Sequence, residues 1–309
     1  MNKLTVCAAA MLLSALQLAG QGVRVSESPG DPDPSAGFEV DFQNRGFLPP
    51  RMSSEQRDAL VNPADGLMIF NTTTGCPEYC FSGEWYTQCG NPVNPPFVCG
   101  TDTASDADNN SYTTVQIGTQ CWLQQSLNTT KYANGDAIPE VTGNSAWAAL
   151  SDGAWSHYGN VASNSNTYGR LYNYFAATDE RGICPVGWHI PTETDWVDLE
   201  VYLGMPSGEI NNTGFRGTTQ GGAIKQTGTT LWLSPNTAAT NSTGFTALPT
   251  GGRGNDGTYY FINQGGDMWS STESTSSDAY YRSTYYENGG IWRGAASKKY
   301  GFSIRCMKD

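Results

Sequence analysis

Histidine is almost absent from this 309-residue chain, which has only His157 and His189, far apart in sequence. That scarcity excludes histidine-rich zinc sites and leaves a Cys/His or Ser-His-Asp machinery two imidazoles to draw on. No G-x-S-x-G nucleophile elbow occurs either. Basic residues are few. Lys and Arg total 17 against 29 Asp and Glu, a formal net charge of −12, and such a surface repels nucleic acid and anionic lipid. Charged residues make up only 15% of the chain, leaving Gly, Ser, Thr, Asn, Tyr and Trp abundant, as in an extracellular loop-rich or β-rich domain. Long apolar runs are missing beyond the N-terminus. No later segment approaches the ~20 apolar residues of a membrane helix, so neither a transmembrane segment nor a nucleic-acid partner is expected.

The one apolar run opens the chain. "MNKLTVCAAAMLLSALQLAGQG" places Lys3 ahead of a mostly apolar stretch to Leu18, followed by the small residues Ala19 and Gly20. This is the layout of a secretory signal peptide over 1–20, cut near Ala19–Gln21. Cys7 lies near the start of the run, whereas a lipidated cysteine would follow it. The mature protein is expected to be secreted, extracellular and associated with the cell surface.

Residues 21–37, with "SESPGDPDPSAG", read as a linker rich in Pro, Gly and Asp. Residues 38–90 read as a small β-rich module. "GFEVDF" alternates like a strand, and Ser53 or Ser54 can cap a short helix over "SEQRDAL". "GLMIFNTTTG" then runs as a strand into a turn, with "EYCFSGEWYTQ" as its hairpin partner. The stretch "GFLPPRMSSEQRDALVNPADGLMIFNTTTGC" resembles a module of Bacteroidetes-type surface proteins and phage tail-fibre-like chains, which precedes a larger outward-facing domain. A Pro-rich joint, 91–98, follows.

The remainder, 99–309, holds every tryptophan but Trp85. Its best helix is "PTETDWVDLEVYLGM". Thr192 caps it, Asp195 completes a capping box, Trp196, Leu199 and Leu203 recur on one face, and Gly204 ends it. Six ordered motifs, among them "VQIGTQCWLQQSLNTTKYANG", "GICPVGWHIPTETDWVDLEVYLG", "GFTALPTGGRGNDGTYY" and "KKYGFSIRC", resemble the Fibrobacter succinogenes major paralogous domain. The resemblance implies an α+β, C-type-lectin-like, disulfide-bonded domain with many short strands and loops and one or two helices. It also implies a distant similarity to the formylglycine-generating, sulfatase-modifying domain.

Seven cysteines remain beyond the signal, and an exported chain with this many is read first as disulfide-bonded. Cys76 and Cys80 have a spacing a zinc half-site can use, but no second pair completes it, so no metal and no cofactor is expected. Cys76 and Cys89 flank the module's hairpin, and Cys99 and Cys121 flank the first hairpin of the large domain; each pair is placed to close its hairpin. The lectin-like resemblance favours Cys184 with Cys306. Cys80 is left free or in competition for Cys76 or Cys89. On this reading Cys184 is structural rather than a nucleophile served by His189, an imidazole expected to be packed on aromatics or partly buried.

Paired carboxylates for glycoside hydrolysis would have to come from Glu200, Glu273 and Glu287 in the Trp-rich domain. "DADNNS" (106–111) opens like a calcium loop but has Ser111 at the glycine position and Ile117 at the twelfth, so it reads as a polar turn. "GGRGNDG" (251–257) lacks the GK[ST] ending of a phosphate loop and reads as a surface loop. The calcium-dependent sugar motifs of C-type lectins are missing, and "WSS" stands at 269–271 where Trp-Asn-Asp would be expected.

These features together indicate a binding or adhesion protein whose ligand is a glycan or a surface protein. The alternative is a self-associating subunit of a surface fibre, and an exported hydrolase is the third reading. No enzymatic activity is expected. The ligand face is expected on loops between about 205 and 295, with Trp232, Trp269, Arg282 and Trp292 as exposed anchors, because aromatic and arginine side chains give large contact area at low entropic cost. Trp188 and Trp196 are assigned to the core.

Overall fold

The computed structural model describes residues 23–27, 30–31, 38–43, 46–89 and 97–309. The expected signal peptide, most of the expected linker and most of the Pro-rich joint lie outside the described residues. The chain divides into two units, 1–96 and 97–309.

In the first unit, β1 (Val23–Ser26) pairs in parallel with β2 (Phe38–Asp41). Residues 23–26, expected within the linker, therefore form a strand. A four-stranded sheet follows in the order β3 (Arg51–Met52), β4 (Met68–Asn71), β5 (Cys76–Phe81), β6 (Glu84–Thr87). Between β3 and β4, helix α1 (Ser54–Asp58) starts at a capping box: the Ser53 hydroxyl accepts from the Gln56 amide and the Gln56 side chain accepts from the Ser53 amide. The core is small: Ile69, Cys80 and Trp85, with Met52 against them. Beside it, Arg57 and Asn71 each donate to the buried Glu78 carboxylate at 3.0 Å. Cys76 and Cys89 are bridged, and Cys80 is a free, buried thiol.

The second unit opens with an antiparallel meander of β7 (Thr103–Ser105), β8 (Ser111–Ile117) and β9 (Gln120–Leu123). Asp106 sets the first turn by accepting from the amides of Asp108 and Asn110. Short helices α2 (Asn144–Ala148), α3 (Ala162–Tyr168) and α4 (Tyr174–Ala177) alternate with β10 (Trp155–Ser156) and β11 (Leu171–Tyr172), which pair with each other. After β12 (Trp188–His189) comes α5 (Glu193–Tyr202), the longest helix among the described residues, with the Thr192–Asp195 capping box formed. Gly204, at φ +78°, stands just past its end, where the chain turns left-handed.

The main sheet is built from β13 (Gly214–Arg216), β14 (Thr250–Arg253), β15 (Tyr259–Ile262), β16 (Gly265–Glu273), β17 (Asp278–Tyr285) and β18 (Ile291–Ser297), in the order β13-β18-β17-β16-β14-β15. Helix α6 (Gln220–Ile224) lies between β13 and β14 in sequence. The last strand, β19 (Met307–Lys308), returns to sit between β12 and β9, so the end of the domain closes on its beginning. The run into it, residues 301–306, is buried throughout. The bridges Cys99–Cys121 and Cys184–Cys306 fasten both regions. This is an α+β, disulfide-bonded domain behind a small β module. No described helix is long and apolar enough to cross a membrane.

Two clusters make the core. One joins Trp155, Tyr172, Tyr174, Trp269, Phe302 and the Cys184–Cys306 region; the other joins Trp122, Trp196, Leu199, Phe245, Met268 and Ile291. Trp269 and Met268 are neighbours in β16, and they fall in different clusters because successive strand side chains point to opposite faces. The "GGRGNDG" segment differs from its expected surface position. Its first part is buried strand β14, where Arg253 donates to the Thr142 carbonyl at 3.0 Å and lies 4.2 Å from the Trp147 ring.

Candidate functional site

The central strands β16, β17 and β18 sort the aromatic-rich stretch into two faces. On one face, cross-strand partners stack in rows: Gly265 opposite Tyr285, Asp267 opposite Ser283 opposite Trp292, and Trp269 opposite Tyr281 opposite Gly294. Phe302 covers one end of this face, with ring centroids 4.3 Å from Trp269 and 4.9 Å from Tyr281. The other end is open. There Phe215 of β13 and Tyr260 and Phe261 of β15 complete a cleft of about 260 Å³ with Asp267, Tyr285 and Trp292. Glycine makes the room. At Gly294 a Cβ would come within 2.6 Å of the Trp292 indole nitrogen, so the ring can lie across the strand only because that Cβ is missing.

The cleft wall is aromatic and its one charged group is Asp267. That side chain is only 8% exposed, accepts from the Tyr260 hydroxyl at 3.3 Å, and makes no ion pair among the described residues. Burial pushes its carboxyl up to about 6, against the opposing hydrogen bonds of Ser283 and Tyr260. At the rim Phe261 is 51% exposed and held at φ +61°, a left-handed conformation that is costly for a bulky residue. Its ring meets Tyr260 edge-on at 5.1 Å and Tyr285 at 5.9 Å. An apolar concavity with one polar anchor is the usual form of a small-ligand site, and this volume suits a single side chain or small ring.

Of the four expected anchors, Trp292 alone lines the cleft. Three are corrected. Trp232 is buried, with the Lys225 ammonium 5.4 Å from its ring, and Lys225 donates to the carbonyls of Thr237, Tyr285 and Asn288. Trp269 is core, its indole donating to the Tyr172 carbonyl at 2.9 Å. Arg282 is fully buried on the opposite face of β17, where it donates to Glu200 and Glu193 of α5 at 2.6 Å. The cleft lies on a sheet face rather than on the loops where the ligand face was expected. Phe215, Tyr260, Phe261 and Asp267 were not singled out in sequence. Alternation along β17 puts Tyr281, Ser283 and Tyr285 on the cleft side and Arg282 on the other, whereas Phe215, Tyr260, Phe261 and Asp267 reach the cleft from β13, β15 and β16, which only the sheet order brings together.

The other chemistry-bearing residues are dispersed. Glu200 is paired with Arg216 and Arg282, Glu273 with Lys298 at 2.7 Å, and Glu287 accepts from Tyr286 at 2.9 Å. Cys184 is bridged, so its sulfur carries no thiol for His189 to activate. His189 is partly buried, one of the two arrangements expected, and carboxylates rather than aromatic rings meet its nitrogens. Its ring nitrogens meet the carboxylates of Asp309 at 2.6 Å and Asp195 at 3.3 Å. His157 meets Ser165 at 2.6 Å and Glu140 at 3.7 Å, but Ser165 is buried, and burial lowers the imidazole. In "DADNNS", Asp108 accepts from Thr130 and pairs with Lys131; burial opposes these bonds, which nonetheless hold it at about 2. Among the described residues no group of three or more His, Cys, Asp or Glu side chains is placed to hold a metal ion.

An α+β, disulfide-bonded domain with an aromatic cleft on its main sheet is thus joined to a small β module. The Fibrobacter succinogenes major domain family matches residues 115–308, and the chain belongs to that family. Residues 27–106 are similar to a phage tail like trimerisation region. Neither a curated protein nor a solved structure matches the chain.

Proposed function

We propose that this is an exported, surface-associated binding protein without enzymatic activity, whose cleft between Trp292 and Phe261 takes the ligand. The observation that carries this reading is the rim of Phe261. A half-exposed phenylalanine in a left-handed conformation costs roughly 1–3 kcal/mol, and that strain is spent on extending the cleft wall beside Tyr260 and Tyr285. The N-terminal module supports a second element of the same reading, self-association, through its similarity to a trimerisation region and the small size of its core.

Phe261→Gly is the variant that separates binding from folding, because glycine relieves the left-handed strain while removing the rim. The full chain and this variant are to be compared on arrays of glycans and of peptides, together with Trp292→Ala. Specific hits should lose at least tenfold in affinity in both variants, while Phe261→Gly melts no lower than the parent. Hits indifferent to both substitutions would place the ligand elsewhere and sink the proposal.

A further inference from the structure

We infer that the cleft takes the primary ammonium of a lysine side chain from a partner protein, its charge paired with the Asp267 carboxylate and its methylene stem lying against the surrounding rings. This rests on the reading of the cleft as the ligand site. The two carboxylates with no exposure at all, Glu78 and Glu200, each have arginine partners. Asp106, also buried, accepts four hydrogen bonds. Among the described residues Asp267 has no cation, and it faces the open cleft. Around it stand Tyr260, Tyr281, Tyr285 and Trp292, rings whose faces attract a cation, and no described arginine or lysine occupies them.

An ammonium brings three donors. Asp267 and the hydroxyl oxygens of Ser283 and Tyr260 offer acceptors to match. A quaternary ammonium has no N–H and would leave those acceptors unpaired, and a neutral sugar would leave the carboxylate charge uncompensated. A volume of about 260 Å³ admits one such side chain. The chain's net charge of −12 also draws cations toward it.

Burial holds Asp267 at about 6, so the carboxylate that pairs with ammonium is lost as pH falls through that range. The titratable groups facing it are the phenols of Tyr260 on β15 and of Tyr281 and Tyr285 on β17, those of Tyr260 and Tyr281 pushed up by burial. From β14 and β18, Gly252 and Trp292 add none.

Binding of Nα-acetyl-lysine amide to the full chain, followed by saturation-transfer NMR and calorimetry at pH 7.5, is the test. The neutral Nα-acetyl-norleucine amide, which keeps the four-carbon stem and lacks the terminal ammonium, choline and methyl glycosides serve as the other probes. The lysine probe should bind at least tenfold tighter than norleucine amide and choline. Asp267→Asn, which keeps shape and removes charge, should erase that preference while remaining folded by circular dichroism, and lowering the pH to 5 should weaken binding of the parent. Equal binding of norleucine amide, preference for choline, no binding of the lysine probe, or an unchanged Asp267→Asn variant would each overturn the inference. If a methyl glycoside binds instead, with sensitivity to Phe261→Gly, the cleft remains the ligand site and only the lysine assignment falls.

Discussion

Asp267 shows how one residue can work against the fold that holds it. Its carboxyl is raised from 3.8 to about 6 by burial, which corresponds to on the order of 3 kcal/mol against the ionised form. The sign follows from linkage. Between the two values the folded state binds the proton that the unfolded chain has released, so stability falls as pH rises from about 4 to about 6, and stays lower above that. Asp267→Asn should therefore raise the melting temperature at pH 7.5 and lose that advantage near pH 3.5, read from thermal melts of both proteins across that range. A variant no more stable at pH 7.5 would mean that the carboxylate is better solvated than its burial implies. At this scale the sequence was least legible. Trp232, Trp269 and Arg282 have the composition of binding anchors, yet aromatic and arginine side chains serve equally in cores. Five arginines, Arg57, Arg216, Arg253, Arg282 and Arg305, are among the largest fully buried side chains. Arg305 spends its donors on the carbonyls of Leu123, Phe245 and Thr246. Nothing in the local sequence reveals those acceptors, because they come from distant segments.

Between elements, the decisive contact is α5 against the sheet. Glu200 accepts from Arg216 at 2.5 and 2.8 Å and from Arg282 at 2.6 Å, while Glu193 takes Arg282 and Arg293. The network joins one helix to β13, β17 and β18 on the face opposite the cleft, and so ties together the strands that carry it. Removing one member of a buried ionic network leaves its partners uncompensated, typically at about 3–5 kcal/mol. Glu200→Ala should lower stability by that amount in urea denaturation. Loss below about 1 kcal/mol would show that the arginines find water or other acceptors. The helix itself was legible. Thr192, Asp195 and Gly204 are local signals, and Trp196 and Leu199 follow its period into the core. Strand β17 was legible as aromatic-rich, but which of its faces meets α5 was not, since both faces carry large side chains.

For the whole molecule, the N-terminal module is the part least able to stand alone. Three buried apolar residues among those described are a slight core for a unit of its size, and units this small usually need a bridge or a partner. Cys76–Cys89 supplies one bridge. Large apolar side chains nevertheless stay outside, with Val61 at 88%, Leu48 at 69% and Phe81 at 56% exposed. Together with the similarity of residues 27–106 to a trimerisation region, this supports association of three copies through the module. Light scattering should give a mass near three times that of a single chain, and Val61→Glu with Phe81→Glu should return it to one. A monomeric parent would remove the module's proposed role.

What the sequence determined by itself was set by local chemistry: the capped helices, the hairpin turns, the acidic composition and the cysteine pairs that flank two hairpins. The ordered motifs of 99–309 carried the family. Tertiary structure decided which aromatics are core and which line the cleft, because burial depends on what packs over a strand face rather than on the strand's own residues. It also decided that Asp267, undistinguished in sequence, stands in the cleft without a cation while Glu78 and Glu200 have theirs. Ion pairing at 2.5–3.0 Å is a property of chain segments brought together from far apart, and a linear order of residues does not contain it.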